Sequence, residues 1–114
     1  NIQFGEYQMF GNIRIDSMLN IAVNKVTAIF GRTEAKDFVD LYLILQEAAY
    51  DFDSLVEMAK QKDTGLTEFY LVGMLRQIEH IQHLPVMYQS VSLDTLRKFY
   101  LELGDHLLRK MKPV

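Results

Sequence analysis

The sequence predicts a mainly α-helical domain, in which a short N-terminal β-hairpin over residues 1–15 precedes a compact bundle of about five helices over residues 16–114. Three observations lead to this fold class. After Asp16, apolar residues recur every three or four positions, which is typical of amphipathic helices. Before Asp16, two short runs of alternating character flank a Gly-Asn pair. The length of 114 residues suits a single domain.

The hairpin is predicted from residues 7–10 and 13–15, which lie on either side of Gly11 and Asn12. Because an isolated hairpin is only marginally stable in water, we expect these strands to complete a sheet or to lie on the helices. The chain begins at Asn1 rather than Met, inside this strand-like region. We therefore expect it to be a fragment of a longer protein.

Five helices are expected after the hairpin. They are predicted at residues 17–31, 33–50, 53–62 and 67–83, and from the cap Ser92 through Leu107. Asp16 or Ser17 can cap the first helix, and Gly31 is expected to end it as a C′ glycine. Pro85 follows the fourth helix closely enough to stop it.

Composition and charge exclude several classes of protein. Fifteen acidic and twelve basic residues leave a formal charge of -3, so nucleic-acid binding by this chain alone is disfavoured. The absence of cysteine excludes disulfide scaffolds and thiolate zinc sites, and favours a reducing compartment, which we expect to be the cytoplasm. No apolar run approaches the roughly 18 residues that cross a bilayer, so no membrane association is expected.

The most informative polar region is the predicted junction of the first two helices. Lys25 lies among apolar neighbours and Arg32 follows two turns later, while Asp37 and Asp40 share one face of the next helix. Two cations and two carboxylates therefore converge at one corner. An ordinary ion-pair network that fixes the angle between two helices would look the same. Alternatively, Lys25 could bind nucleotide phosphates while the carboxylates hold the cations in place.

Residues 15–32 and 36–45 resemble the later half of nucleotidyltransferases of the AbiEii/AbiGii type, which are toxins of abortive-infection toxin–antitoxin systems. The two segments read IDSMLNIAVNKVTAIFGR and KDFVDLYLIL. The later motifs of that family are a helical lysine, then an arginine, then Arg/Lys-Asp-x-x-Asp-Leu. The matching positions here are Lys25, Arg32, Lys36, Asp37 and Asp40. The resemblance covers about residues 12–46.

This resemblance implies catalytic roles for Lys25, Asp37 and Asp40, with Lys25 on the nucleotide phosphates, and substrate-binding roles for Arg32 and Lys36. It implies Mg²⁺ and a nucleoside triphosphate as cofactor and substrate of the intact enzyme. In the family, as in polymerase-β-like nucleotidyltransferases, a Gly-Ser turn and an Asp-x-Asp strand carry the metals, and no strand here offers that combination. We therefore expect the C-terminal helical portion of such a toxin, which binds neither metal nor nucleotide and is inactive by itself. An antitoxin protein is the expected partner, and self-association is a further expectation.

A non-catalytic interpretation also stands, in which the chain is a helical protein–protein interaction module. It depends on apolar residues that the helical stripes do not bury, namely Met58, Val72, Val86, Met87 and Val91. Histidines give less information. His80 and His83 are three positions apart on the fourth predicted helix but lack further metal ligands, and His106 suits the negative end of the last helix.

Overall fold

The computed structural model describes residues 15–86 and 91–111, and within these ranges the chain is helical and contains no β-strand. The elements are α1 Ile15–Arg32, α2 Ala35–Glu47, α3 Phe52–Lys62, α4 Glu68–Leu75, a 3₁₀ helix Arg76–His80, and α5 Leu93–Met111. The predicted set of five helices is confirmed. The predicted hairpin lies on residues 1–14, outside the described residues, except for Ile15, which is the first residue of α1 rather than part of a strand.

The turn between α1 and α2 is formed at Thr33. Thr33 has a φ of 48°, which lies in the left-handed region and interrupts the helix. The prediction that Gly31 ends α1 in this way is wrong, since α1 runs on to Arg32 and no described glycine has a positive φ. As a consequence, α2 begins at Ala35, two residues later than predicted, and it ends at Glu47.

Three helices begin at a side-chain cap. The Asp51 carboxylate starts α3, the Thr67 hydroxyl starts α4, and the Ser92 hydroxyl starts α5. Each accepts a hydrogen bond from the backbone N–H three residues later, at 3.2, 3.3 and 3.0 Å respectively. Each cap pairs an N–H group that the helix itself leaves free. The prediction of Ser92 as a cap is therefore confirmed.

The fourth predicted helix is shorter than its pattern indicated. It ends as an α-helix at Leu75, tightens into the 3₁₀ helix and stops at His80. Side chains three positions apart stack on one another in a 3₁₀ helix. This geometry places Ile78 three positions after Leu75 on the same face, and both side chains are buried. The inward face is thus preserved although the helix type changes.

All five helices contribute to one hydrophobic core. α1 lies against α2, α3 and α4, and α5 packs on α4, the 3₁₀ helix and α2. The largest fully buried side chains are Tyr100, Phe38, Ile29, Leu41, Ile44, Leu55, Leu71, Leu75, Ile78, Leu96 and Leu107. None of the helices in the described ranges combines the length and apolar character needed to span a bilayer.

The apolar patch predicted for an interaction module is not assembled. Val72 is buried, and Met58 and Val91 are half-buried against the core. Val86 is exposed, while Met87 lies outside the described residues. These positions therefore do not form one exposed apolar surface.

Tyr100 fastens α5 to α2. Its ring is fully buried and meets Phe38 edge to face, with ring centroids 4.8 Å apart. Its hydroxyl donates a hydrogen bond to the backbone carbonyl of Phe38 at 2.5 Å. Burial, together with the negative charge of Asp40 and Asp37, raises the pKa of the Tyr100 phenol well above its ordinary value.

Replacing Tyr100 with Phe should lower the free energy of unfolding by about 1 kcal/mol at pH 7, because the buried hydrogen bond to Phe38 is lost. The raised pKa of the folded phenol means that its contribution is complete below about pH 10 and is lost as the pH rises through the folded pKa. Denaturant unfolding of both proteins should show a stability difference that shrinks above about pH 10. A constant difference from neutral to strongly alkaline pH would contradict this role.

Candidate functional site: an ion-pair cluster beside an open groove

Two basic side chains of α1 meet two acidic side chains of α2 where these helices join. Lys25 Nζ lies 2.8 Å from Asp40 Oδ2 and 3.2 Å from Asp37 Oδ1. Arg32 binds Asp37 through two nitrogens, with Nε 2.9 Å from Oδ2 and Nη2 3.2 Å from Oδ1. We term these four residues the ion-pair cluster. Their side chains meet at one corner, as the sequence spacing predicted.

Helix periodicity and the turn bring these four side chains together. Lys25 and Arg32 are seven positions apart, about two helical turns, so they share one face of α1. The left-handed turn at Thr33 then reverses the chain, and Asp37 follows in the first turn of α2. A carboxylate there is favoured by the positive end of the helix dipole. Asp40 lies one turn further along the same face.

Asp37 is the most shielded member of the cluster. Its side chain is 0% exposed, whereas those of Arg32 and Lys25 are 50% and 21% exposed. A carboxylate removed from water must be compensated by charge and by hydrogen bonds. Both oxygens of Asp37 have such partners. Lys25 and Arg32 thus extend from the buried Asp37 carboxylate towards the surface.

The carboxylates keep both cations charged. Burial lowers the pKa of Lys25, but hydrogen bonds and charge from Asp40 and Asp37 outweigh this effect and raise the pKa above its ordinary value. The hydrogen bond and charge of Asp37 likewise raise the pKa of Arg32. Lys25 and Arg32 therefore both remain protonated at neutral pH.

Several N–H donors of the cluster are left for another acceptor. An ammonium has three N–H groups and a guanidinium has five. Lys25 directs two towards Asp40 and Asp37, and Arg32 directs Nε–H and one Nη2–H towards Asp37. The remaining N–H groups of Lys25 and Arg32 donate to none of the other described residues. An anion could bind here without breaking the contacts within the cluster.

Lys36, the fifth residue of the sequence motif, lies apart from these contacts. It is exposed near the start of α2 and forms no ion pair with any described residue. The structure therefore brings together four of the five predicted site residues.

The carboxylates of the cluster do not fit a divalent metal ion. Both oxygens of Asp37 are taken by Arg32 and Lys25, and Asp40 Oδ2 is taken by Lys25. Mg²⁺ requires oxygen ligands and would be repelled by two cations at this distance. Within residues 15–86 and 91–111, no three histidine or carboxylate side chains are arranged to hold a metal.

The histidines have other surroundings. His80 ends the 3₁₀ helix and His83 lies beyond it, so the helical pair expected from their spacing does not form. His106 of α5 contacts Asp53 of α3, with Nε2 3.0 Å from Oδ2, and Lys110 Nζ lies 3.2 Å from the same oxygen. Burial raises the pKa of Asp53, but these two partners outweigh it and lower the pKa. This contact between α3 and α5 was not foreseen from the sequence.

An open groove with a volume of about 730 Å³ adjoins the cluster at Arg32. One wall is the part of α1 from Asn24 to Arg32, and the other is Lys62, Asp63 and Thr64 at the end of α3. Lys62 Nζ donates to Asn24 Oδ1 at 2.8 Å and so bridges the two walls. A groove of this volume is large enough for a small-molecule ligand. Of these groove residues, only Arg32 was predicted from the sequence as a site residue.

Replacing Asp37 with Ala should lower the free energy of unfolding by about 3 kcal/mol, because the two cations lose their shared buried partner. The matched control is Glu34→Ala. The Glu34 carboxylate is 52% exposed and lies 3.8 Å from Arg32, so its loss should cost less than about 0.5 kcal/mol. Urea unfolding at pH 7 measures both changes. Equal effects of the two substitutions would contradict the role of Asp37 as the anchor.

Comparison with known proteins places this chain in a family. A protein-family model described as nucleotidyl transferase AbiEii toxin, type IV toxin–antitoxin system, matches residues 8–102. No curated protein and no solved structure gave a significant match. The matched range contains the whole ion-pair cluster and both walls of the groove. Because the match covers most of the 114 residues, the chain belongs to the AbiEii family of nucleotidyl transferase toxins of type IV toxin–antitoxin systems.

Proposed function

We propose that this chain supplies the helical, phosphate-binding part of a nucleotidyltransferase toxin, and that its ion-pair cluster binds the phosphates of a nucleoside triphosphate. Membership of the family supports the class of reaction. One observation carries the assignment of the site. The fully buried Asp37 holds Arg32 with both carboxylate oxygens while further N–H groups of Arg32 remain free.

In this proposal Lys25 and Arg32 contact phosphate oxygens, and Asp37 and Asp40 are positioning residues. During nucleotidyl transfer, an acceptor forms a bond to the α-phosphorus while the bond to the departing pyrophosphate breaks, and negative charge grows on the leaving group. Two cations held in fixed positions stabilise that charge. The bidentate contact matters because it fixes the plane of the Arg32 guanidinium.

We place Lys36 and Mg²⁺ outside the ion-pair cluster. Lys36 adds positive charge to the exposed side of α2, where it reduces the repulsion that an approaching triphosphate meets. The cluster carboxylates are engaged with cations, so we do not assign Mg²⁺ to Asp37 or Asp40. Its ligands would be other carboxylates of the intact toxin.

The alternative function, a non-catalytic helical interaction module, has one supporting observation. Phe69 and Tyr70 are 67% and 61% exposed on α4, and their rings contact each other edge to face. A pair of exposed aromatic residues is typical of a protein contact. Such a contact is compatible with a toxin, since family membership supplies an antitoxin as the functional partner of the system.

Substituting Lys25 or Arg32 with Ala in the toxin as its host expresses it should reduce nucleotidyl transfer about 100-fold, because each change removes a cation from the phosphate site. Growth arrest on expression and incorporation of labelled nucleotide are the measurements. Lys98→Ala, at an exposed position of α5, is the matched control and should behave as the wild type. Folded Arg32→Ala protein that transfers nucleotide at the wild-type rate would refute the phosphate role.

Asp37→Asn separates a functional cluster from a purely structural one. If Asp37 positions Arg32 for catalysis, the folded fraction of this variant should have a transfer rate reduced about tenfold or more, with a smaller change in KM, because the charged bidentate contact is lost. If the cluster only fixes the angle between α1 and α2, the melting temperature falls while the folded protein keeps its full rate. Thermal unfolding and initial rates on the same preparation decide between the two.

A further inference from the structure

We propose that the groove beside Arg32 is the nucleotide-binding surface, and that a nucleoside triphosphate lies along it with its phosphates at Arg32 and its ribose at Asp63. This inference rests on the proposed function and extends it to the orientation of the substrate. It departs from the sequence-based expectation that this chain binds no nucleotide by itself, because Arg32 keeps free N–H donors beside an open groove. The groove meets the cluster at Arg32, the one residue that belongs to both. A nucleotide held there would have its phosphates within reach of the free guanidinium donors.

The two ends of the groove differ in charge. At one end Arg32 is half-exposed. Of the two carboxylates that pair with it, Asp37 is buried and Glu34 is exposed at 3.8 Å from Nε, and neither lines the groove. The other end is marked by the positive Lys62, which donates to Asn24 across the groove, and the negative Asp63 follows Lys62 on the same wall. Three or four phosphate charges are therefore favoured at the Arg32 end, while the mixed pair at the other end suits a neutral, polar group.

The length of the groove suits this orientation. Lys62 is bound to Asn24, and Asn24 and Arg32 are eight positions apart on α1. Eight residues of α-helix rise about 12 Å, so the two ends are separated by more than a phosphate group. The volume of about 730 Å³ leaves room for a sugar and a base beyond the phosphates.

The groups at the Asp63 end match a ribose. Asp63 Oδ1 accepts a hydrogen bond from the backbone N–H of Gly65 at 3.0 Å, which fixes the carboxylate and leaves Oδ2 available. An acidic side chain that accepts hydrogen bonds from ribose hydroxyls is a common means of nucleotide recognition. Lys62 uses one of its three donors on Asn24 and keeps two for acceptors on the sugar or base.

Calorimetric titration of the full 114-residue chain tests the orientation. The probes are ATP, GTP, CTP and UTP, each compared with its 2′,3′-dideoxy counterpart, and inorganic tripolyphosphate. The variants are Asp63→Asn and Arg32→Ala, with Lys98→Ala as a control outside the groove. Asn keeps the oxygen that accepts from Gly65, so this variant removes the charge without removing the turn contact. Thermal unfolding of each variant verifies that it is folded.

The wild type should bind at least one ribonucleoside triphosphate about tenfold more tightly than its dideoxy counterpart, because hydrogen bonds to a charged group are lost with the hydroxyls. Asp63→Asn should remove this discrimination while binding tripolyphosphate at least as well as the wild type. Arg32→Ala should weaken binding of both nucleotide and tripolyphosphate.

Three outcomes would overturn the orientation: absence of nucleotide binding, a wild type that does not distinguish ribose from dideoxyribose, or an Asp63→Asn protein that still does. None of these bears on the loss of transfer expected for Lys25→Ala and Arg32→Ala in the natural toxin. The proposed function can therefore stand when this inference fails. Conversely, full transfer by those alanine variants would refute the proposed function even if the Asp63 result held.

Discussion

The junction of α1 and α2 depends on one carboxylate that has been taken out of water. Asp37 is completely buried, and a buried carboxylate without partners would cost several kcal/mol. The requirement is met by two cations from the other helix, so the pairing of α1 with α2 and the position of both cations are settled together. The left-handed turn at Thr33 makes this possible, since it brings the end of one helix beside the start of the next.

The next residue of α2, Phe38, lies on a different face of the same helix, about 100° around its axis. Phe38 packs in the core against the Tyr100 ring, and its carbonyl accepts the Tyr100 hydroxyl. Consecutive residues thus tie α2 to α1 through charge and to α5 through an aromatic contact. The two sides also influence each other, because the charges of Asp40 and Asp37 contribute to the raised pKa of Tyr100. A site placed on an element restrained from both sides keeps its geometry better than one on a loop.

Much of the fold and part of the site could be predicted because they depend on local periodicity. The spacing of Lys25 with Arg32, and of Asp37 with Asp40, fixed which helical faces they occupy, and one short link brought those faces together. The features that were predicted wrongly or missed depend on backbone conformation or on contacts between residues far apart in the sequence. Gly31 offered the usual residue for a left-handed turn, yet Thr33 adopts it.

The groove and the contacts between distant helices could not be predicted from the sequence, for a different reason. Lys62 and Asn24 are 38 residues apart, and His106 and Asp53 are 53 apart, with no shared periodicity to indicate a meeting. The basic end of α3 is ordinary for a helix, since cations there face the negative end of the dipole. Only the packing of α3 against α1 turns Lys62 and Asp63 into a wall of the groove.

The bidentate contact between Asp37 and Arg32 reduces the conformational entropy of the Arg32 side chain. A free arginine side chain samples many rotamers, and a ligand that binds it must normally confine it to one. Here the confinement happens during folding, because a guanidinium that swung away would leave the buried carboxylate with Lys25 alone. The half-exposed Arg32 guanidinium is therefore held in a single orientation before any anion binds. Binding of the anion then costs less side-chain entropy.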